Sequence, residues 1–430
     1  MKTRPLLAAL AVGALSAGLL AGCSSPGDAP AEKVASLTLW HNSADSPALL
    51  QLYKDFEKES GIAIELVDIP SDSFETTTLT KFATGDRPDL LEYHPNISAM
   101  LTLNPEQNMQ DLSGMDFVKA SGDTYKSSGA YKDKVYAAIL GFPSVFGVFY
   151  NKKVLDENGL QPPKSFDDLR TMCTALKSAK VAPIWESGGS AWPTQILPLL
   201  YVSEANDGGD YGWKVASNET PLNESGGAFV EGLDAYKGLA ADGCFNANAT
   251  SATFEDGLRA VYDGTAAMTA LHSDTYAALL GYAEGDGAAL SEKVGFVPVS
   301  ARSAVAAYAS GPLGTYYAPK TGDKAKEAAA RDFIAFATGK GYQKFIDEAK
   351  AFPVISTAKT PEGFSGLQLD FQAAYTGKAN IAFNSNIAGF GGFAAETTKL
   401  LAGQATPAQV ADSMVAQVEQ ASKAAGVAGW

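Results

Sequence analysis

The chain contains few cysteines and histidines, and this limits the metal chemistry that it can support. Its 430 residues include three of each. His41, His94 and His272 lie far apart, and the short spacings of zinc-binding motifs do not occur among them or the cysteines. We therefore expect no metal site and no cofactor.

Long hydrophobic runs and an excess of positive charge are also lacking. After residue 22, no stretch is long and apolar enough to cross a bilayer, which needs roughly 20 residues. The 33 Lys and Arg residues face 48 Asp and Glu residues, which gives a formal charge of −15. Such an acidic surface argues against nucleic acid and anionic lipid as partners, although solubility alone also accounts for it.

Signatures of common enzymes are missing as well. Neither a G-x-S-x-G elbow nor a phosphate-binding glycine loop occurs in the sequence. A secreted glycoside hydrolase remains as an alternative, because it needs only two carboxylates roughly 5–10 Å apart. Glu92, Glu186 and Asp274 are candidates for such a pair, but no hydrolase signature surrounds them. We expect that the protein is not an enzyme.

The N-terminus has the pattern of a secretory leader. Lys2 and Arg4 precede an uncharged stretch that is too short to span a membrane. Its end, Leu20-Ala21-Gly22-Cys23, resembles the lipobox of bacterial lipoproteins, in which the cysteine is acylated and becomes the mature N-terminus. We expect a signal peptide over residues 1–22, a lipid (palmitate-type) anchor on Cys23 and a flexible tether over 23–35. An ordinary signal peptide and an uncleaved anchor are the alternatives.

The patterns after the tether predict an α/β fold. An alternating strand at 36–40, a helix that begins at Ser46-Pro47 and ends at Gly61, and a second strand from Ile62 form a strand–helix–strand unit. Such a unit requires a parallel sheet. Further strands and helices follow in alternation, and the last helix begins at Thr406-Pro407.

Two β-rich segments indicate where the chain passes between two lobes. The stretch "KVYAAILGFPSVFGVFYN" is interrupted by Pro143 and Gly147, and predicts a crossing near Phe142–Phe146. The segment "KVGFVPVS" is a second candidate crossing. We predict an N-terminal lobe over 36–143 and 296–322, and a C-terminal lobe over 144–295 and 323–430.

Two cysteines remain in the mature chain. Cys173 and Cys244 both fall in the predicted C-terminal lobe. In an oxidising exterior they are candidates for a disulfide, and buried free thiols are the alternative.

Three tryptophans stand at positions that suit a ligand site. Trp40 and Trp185 end predicted strands, and Trp192 opens a helix beside glycines. Ligands of open parallel sheets collect beyond the carboxyl ends of strands. An aromatic ring there can stack on the apolar face of a sugar, although core packing is the competing interpretation for each tryptophan.

Several segments resemble extracellular solute-binding proteins of bacterial sugar importers, in the maltodextrin-binding group. They are spread over nearly the whole mature chain: "LTLWHN", "TGDRPDLLEYHP", "YAAILGFPSVFGVFYNKKVLDENGLQPPKSFDDL", "FEDGLRAVYDGTAAMTALHSD", "AAARDFIAFATGKGYQKF" and "LLAGQATPAQVADSM". The resemblance implies a two-lobe, periplasmic-binding-protein-like α/β fold with a multi-stranded hinge and a ligand cleft between the lobes.

The resemblance, together with the strand-end tryptophans, also points to ligand-binding residues. They are Trp40, Ser43, Asp45, Glu92, Tyr93, Asn96, Phe142, Ser144, Trp185, Trp192, His272, Asp274, Gly311 and Phe390. The chain departs from the maltodextrin binders at Asp274, where they have a tryptophan, and at "GFGGF", where they have an aromatic pair. A mono- to trisaccharide is therefore as consistent with this sequence as a linear glucan.

The resemblance implies a function in import. We expect a monomeric, lipid-anchored protein on the outer face of the cell membrane that captures a carbohydrate and passes it to the transmembrane subunits of an ABC transporter. A polyamine or a phosphorylated polyol is the alternative solute for the same fold, and a purely structural surface lipoprotein is a further alternative.

Overall fold

A computed structural model describes residues 34–70, 73–122, 128–364, 366–427 and 429–430. The predicted signal peptide, Cys23 and nearly all of the tether lie outside these residues. In the described part of the chain the strands form two large sheets and one hairpin.

The first sheet has five strands in the order β2-β1-β3-β12-β6. Strand β1 pairs in parallel with β2 and β3, and β12 is antiparallel to both of its neighbours. The parallel strand–helix–strand start is thus confirmed. The strands are β1 Ser36–Asn42, β2 Ala63–Ile69, β3 Leu90–Glu92, β6 Ala137–Ile139 and β12 Thr315–Tyr317.

The second sheet has the order β13-β11-β7-β9-β8, and β10 also pairs with β7. Its strands are β7 Ser144–Asn151, β8 Ala182–Trp185, β9 Ala266–His272, β10 Val294–Val297, β11 Ala306–Ala309 and β13 Ala379–Ile381. The hairpin joins β4 Ala130–Tyr131 to β5 Lys134–Val135.

Helices cover the faces of both sheets. Up to the end of β7 they are α1 Pro47–Ser60, α2 Phe74–Ala83, α3 Ile97–Leu103, α4 Pro105–Asn108 and α5 Asp116–Ala120. From β7 to β10 they are α6 Lys152–Glu157, α7 Phe166–Leu176, α8 Ile196–Ser203, α9 Asp210–Ala216, α10 Ala228–Ala241, α11 Phe254–Asp263, α12 Tyr276–Tyr282 and α13 Gly287–Lys293. The remaining helices are α14 Lys324–Thr338, α15 Tyr342–Ala349, α16 Gly366–Gly377, α17 Phe393–Leu401 and α18 Pro407–Ala424.

Local sequence signals explain where these helices begin and end. Ser46 accepts a hydrogen bond from the Leu49 amide at the start of α1, and Gly61 ends the helix with φ +72°. Ser165 begins α7 with a reciprocal capping box to Asp168. Ser46, Gly61 and Ser165 thus form the hydrogen bonds typical of helix caps. None of the described helices is long and apolar enough to cross a membrane.

The chain passes between the two sheets in three places. It leaves the first sheet through residues 140–143, as the sequence indicates, and returns through residues 310–314. Residues 350–364 then lead from α15, which packs beside α1 in the first core, to α16, which packs on β10 in the second. These connections form the multi-stranded hinge between the lobes.

The lobe boundaries in the structure differ from the predicted ones at two places. Residues 294–309 belong to the second sheet, because β10 and β11 pair antiparallel with β7. The passage predicted at "KVGFVPVS" therefore lies later, at 310–314. Helices α14 and α15 pack in the first core rather than the second, with the Phe333 ring 5.3 Å from that of Phe56.

Cys173 and Cys244 form a disulfide, with their Cα atoms 5.3 Å apart. The bond joins α7 to the segment after α10, and both cysteines are buried in the core of the second lobe. It closes a long loop, since the sequence separation is 71.

We expect the double substitution Cys173→Ala/Cys244→Ala to lower the free energy of unfolding by about 2–4 kcal/mol, because the unfolded chain regains loop entropy. Urea unfolding of the oxidised wild type and the variant measures this. Identical midpoints would show that the bond does not constrain the chain in solution, and reduced wild type serves as the internal control.

Candidate ligand-binding cleft

A cleft of about 610 Å³ lies between residues from the two sheets and the hinge. Its described lining residues are Leu79, Tyr93, His94, Asn96, Ala99, Thr102, Ser144, Phe146, Trp192, Gln195, Ile196, Leu199, His272, Ala309, Ser310, Gly311, Asn384, Ser385, Ile387, Phe390 and Gly391. We refer to this space as the cleft.

Ends of strands and the turns after them supply much of this lining. Tyr93 follows β3, Ser144 begins β7 and His272 ends β9, while Ser310 and Gly311 follow β11. Ligands of α/β sheets bind at such edges, because side chains there lie at the surface on rigid supports.

One wall of the cleft is aromatic. The ring centroids of Trp192 and His272 lie 4.7 Å apart at an interplanar angle of 37°, and Phe146 lies 5.9 Å from His272. Phe254 packs against Trp192 at 5.4 Å. Burial lowers the pKa of His272, and the charge of Asp274 opposes that shift only in part. We refer to Trp192, His272 and Phe146 as the aromatic wall, which is uncharged at neutral pH.

Another wall combines amide, hydroxyl and aliphatic groups. The 3₁₀ turn Phe383–Asn386 packs against α8 and α3. Asn384, Ser385 and Ile387 line the cleft, and so do Ile196 and Leu199 of α8. We refer to these five residues as the amide corner.

Three polar atoms of the cleft's lining are buried without a hydrogen-bond partner: Ser144 Oγ, His272 Nδ1 and Asn384 Oδ1. Buried polar groups of folded proteins are normally paired, and an unpaired one costs about 1–3 kcal/mol.

The described lining of the cleft contains no acidic side chain and no lysine or arginine. The many carboxylates of this acidic chain lie elsewhere.

Half of the predicted site residues line the cleft and half do not. Those that line it are Tyr93, Asn96, Ser144, Trp192, His272, Gly311 and Phe390. Contact with a ligand remains a prediction for each of them. Asn96 also caps α3, since its Oδ1 accepts a hydrogen bond from the Ala99 amide at 2.9 Å.

Trp40 and Trp185 have structural roles instead. Trp40 is 3% exposed and belongs to a buried hydrophobic cluster of the first lobe. The Lys81 ammonium lies 4.6 Å from the centre of its ring. Trp185 packs in the core beside α11, where a Cβ at Gly257 would lie 3.0 Å from its Cδ1. Trp185 ends β8 as predicted, whereas β1 continues past Trp40 to Asn42, so the prediction that Trp40 ends its strand is wrong. Neither ring is among the described lining residues of the cleft.

Asp45 and Glu92 belong to a buried network beneath the strand ends. The Tyr53 hydroxyl donates to Asp45 Oδ2 at 2.7 Å, and His41 Nδ1 lies 3.0 Å from the same oxygen. The Glu92 oxygens accept hydrogen bonds from the Asn42 and Gly314 amides at 2.9 and 2.7 Å. These two carboxylates therefore fix the end of β1 and the hinge segment before β12.

Three side chains of this network have the arrangement of possible metal ligands. Ligand-type atoms of His41, Asp45 and Glu92 lie within 4.8 Å of one another. Burial, and then the charge of Asp45, raises the pKa of Glu92 well above its ordinary value. A proton retained on Glu92 supplies the donor that Asp45 Oδ1 otherwise lacks. Since the other oxygens already accept hydrogen bonds, the arrangement fits a protonated carboxyl pair.

The remaining predicted residues lie outside the cleft's lining. Phe142 packs on Phe352 and Tyr375 at 5.2 and 5.0 Å, and with Asp274 it lines a separate cavity of about 160 Å³. The Asp274 side chain is 63% exposed. Ser43 is exposed in the turn after β1, where its amide donates to the Ile69 carbonyl.

Sequence reasoning missed Phe146, Gln195 and the amide corner. Phe146 and Gln195 lie within a few residues of Ser144 and Trp192, so neighbourhood alone was a usable signal. The amide corner had none, because Asn384 and Ser385 approach α8 only through the tertiary fold.

A family comparison identifies the type of binding protein. The model for "Bacterial extracellular solute-binding protein" matches residues 40–344, more than half of the chain. The chain belongs to this family.

Relatives of this solute-binding protein support the same assignment. It is 24% identical over 276 residues to the "Multiple sugar-binding protein" of Streptococcus mutans, covering 63% of this chain and 64% of the relative. It is 27% identical over 178 residues to the "Melibiose/raffinose/stachyose-binding protein MelE" of Bacillus subtilis, covering 40% of each. The matched regions therefore span less than two thirds of these relatives' lengths.

Solved structures show that the fold is the two-domain fold of such proteins. A structure described as "Chitin oligosaccharide binding protein" matches with a TM-score of 0.73 at 20% identity, covering 91% of this chain and 99% of that one. The family and these relatives are binding proteins rather than enzymes, so this solute-binding protein is not an enzyme. Glu92, Glu186 and Asp274, the three candidate hydrolase carboxylates, lie outside the described lining of the cleft.

Glu186 of this solute-binding protein is a buried carboxyl in the second lobe. Its Oε1 accepts a hydrogen bond from the Ser187 amide at 2.8 Å. Burial raises its pKa to about 7, although hydrogen bonds from Ser187 and Tyr236 oppose the shift. The folded state thus holds a proton that the unfolded state releases near pH 4.5.

Because the folded state binds this proton more tightly, we expect the free energy of unfolding to fall as pH rises from about 4.5 through 7. The loss from this group is up to about 3 kcal/mol by pH 8. Glu186→Gln keeps the acceptor for the Ser187 amide and does not ionise, so it should lessen that decline.

Thermal melts from pH 5 to 8 compare wild type with Glu186→Gln. The matched control is Glu157→Gln, whose side chain is 63% exposed. A parallel pH dependence in all three proteins would contradict the assignment of a buried proton to Glu186.

Proposed function

We propose that this protein captures a neutral saccharide, from a monosaccharide to a short oligosaccharide, and delivers it to the transmembrane subunits of an ABC importer. The observation that carries the proposal is the cleft itself. Its described lining combines the uncharged aromatic wall with neutral side chains that carry hydroxyl and amide groups.

This combination suits the surface of a sugar. A pyranose has an apolar face of C–H groups and a rim of hydroxyls. The Trp192 ring offers a flat surface for the face, while Asn96, Gln195 and Asn384 offer donors and acceptors for the rim. The volume of about 610 Å³ lies within the roughly 300–1,000 Å³ of small-molecule sites and accommodates more than one ring.

The charge of the cleft argues against the alternative solutes. A polyamine would bring several ammonium groups into a space whose described lining holds no carboxylate, and a phosphorylated polyol would find no Lys or Arg there. Burying an unpaired charge is costly. The relatives' names point the same way, since multiple sugars, melibiose, raffinose, stachyose and chitin oligosaccharide are all saccharides.

Delivery to an importer and attachment to the membrane complete the proposal. The family supports delivery, because its members are extracellular solute-binding proteins. The lipobox-like Leu20-Ala21-Gly22-Cys23 supports a lipid anchor at the outer face of the cell membrane.

Trp192→Ala tests the binding site. Loss of a stacking surface should weaken saccharide binding by about 2–4 kcal/mol, or roughly 30- to 1,000-fold, with little change in the melting temperature of the ligand-free protein. Calorimetric titration with the tightest-binding saccharide of a neutral panel measures the affinity.

Trp213→Ala is the control, since Trp213 is 36% exposed and is not among the lining residues. Wild-type affinity in Trp192→Ala, together with a large drop in melting temperature, would assign Trp192 to the core. Failure of every neutral saccharide to bind the wild type would contradict the proposed function.

Cys23→Ser tests the anchor. We expect the wild type to fractionate with membranes and to carry a diacylglycerol on residue 23 by intact-mass analysis, whereas the variant is soluble and unmodified. An unmodified Cys23 in the mature wild type would rule out the lipid anchor without affecting the binding proposal.

A further inference from the structure

Two aromatic rings pack against Trp192, and only one of them belongs to the cleft. The His272 ring lies 4.7 Å from the indole and lines the cleft, whereas the Phe254 ring lies 5.4 Å from it and is not among the described lining residues. Phe254 is the first residue of α11 and is half-buried. A contribution of Phe254 to binding would therefore act through Trp192.

We propose that Phe254 is a positioning residue, which holds the Trp192 ring in the orientation that stacks on a saccharide. This inference rests on the proposed function, because it concerns how the same cleft presents its stacking surface.

The backbone immediately before Trp192 is strained. Ala191 has φ +57° and ψ −61°, close to the conformation of the rare classic γ-turn. A residue with a Cβ keeps such a conformation only where its surroundings impose it, and such residues concentrate at ligand sites. The loop that carries Trp192 must therefore be held by neighbouring contacts.

The segment before α11 supplies those contacts. The Gly188 amide donates to the Ala249 carbonyl at 2.7 Å, and the Gly189 amide donates to the Ala252 carbonyl at 2.9 Å. A Cβ at Gly189 would lie 2.5 Å from the Ser251 carbonyl oxygen, so the two segments touch backbone to backbone. The start of the loop is thus fixed to the segment that leads into α11.

Phe254 completes this attachment through both its backbone and its ring. Its amide donates to Ser190 Oγ at 3.0 Å, one residue before the strained Ala191. Its own position is fixed by the capping box of Thr253 and Asp256 at the start of α11. The same residue therefore ties the loop to the helix and contacts the indole that the loop presents.

Loss of the Phe254 ring would allow the indole to occupy other rotamers. A saccharide would then have to order the indole on binding, and ordering a side chain lowers affinity. We expect Phe254→Ala to weaken saccharide binding by about 3- to 10-fold for this reason.

A double-mutant cycle tests whether Phe254 acts through Trp192. Calorimetric titration with the tightest-binding saccharide of the neutral panel compares the full mature chain with Phe254→Ala, Trp192→Ala and the double variant. Once the indole is absent there is no ring to position, so Phe254→Ala should change the affinity of Trp192→Ala by less than about twofold. Titration at saccharide concentrations above the dissociation constant keeps the weak variants measurable.

Phe245→Ala is the matched control. Phe245 is also half-buried in the second lobe, and its ring packs on Tyr236 at 5.4 Å. This variant should keep wild-type affinity even where its melting temperature falls as far as that of Phe254→Ala. Phe254→Tyr, which retains the ring, should restore wild-type affinity. Phe254→Leu, which keeps an apolar side chain without the ring, replaces Phe254→Ala in the cycle if alanine unfolds the lobe.

The outcomes separate this inference from the proposed function. Wild-type affinity in folded Phe254→Ala, or an equal loss of affinity with and without the Trp192 indole, would overturn the positioning role and leave saccharide binding intact. An equal loss in Phe245→Ala would also overturn it, because the effect would then follow from destabilising the lobe. Absence of binding of every neutral saccharide to the wild type would overturn both.

Discussion

The pairing of strand β7 is the constraint on which the rest of the molecule depends. This strand enters the second sheet directly after the first hinge segment and pairs antiparallel with β9, β10 and β11. Strands β7 and β10 pack closely at Gly147, where a Cβ would overlap the Phe296 ring. The first residues of β7, Ser144 and Phe146, are thereby held in the cleft, and its pairing partner His272 reaches the aromatic wall through the same register. Strand β7 therefore contributes to the hinge, to the core of the second lobe and to the cleft.

The molecule separates its charge from its recognition surface. Buried carboxyls such as Glu92 and Glu186 bond to backbone amides, and burial raises the pKa of both. They hold strand ends and turns, while neutral side chains line the described cleft. A carboxylate in the cleft would bind hydroxyls more strongly but would also favour cations. Neutral groups give weaker single bonds and a clearer preference for uncharged solutes.

Much of the fold could be predicted from the sequence, because its signals are local. Ser46, Pro47 and Gly61 mark a helix whichever way it packs. The return passage between the lobes, after β11, could not be predicted, since "KVGFVPVS" has the same alternation whether its strand joins the first sheet or the second. Likewise, the sequence places Trp40 in a strand, yet the side on which its ring packs is decided by α2, which contributes Phe74, Phe82 and Lys81 around it. Residues such as Asn384, which reach the cleft from the far end of the chain, leave no local pattern to interpret.

The unpaired polar atoms of the cleft connect these observations. Ser144 Oγ, His272 Nδ1 and Asn384 Oδ1 come from three separate segments, and each is buried without a partner. Without a ligand, each unpaired group costs about 1–3 kcal/mol. These atoms lie on the first residue of β7, the last residue of β9 and the turn before α17. Under the proposed function, a neutral molecule that paired with all three would remove this cost and would thereby stabilise one arrangement of these segments.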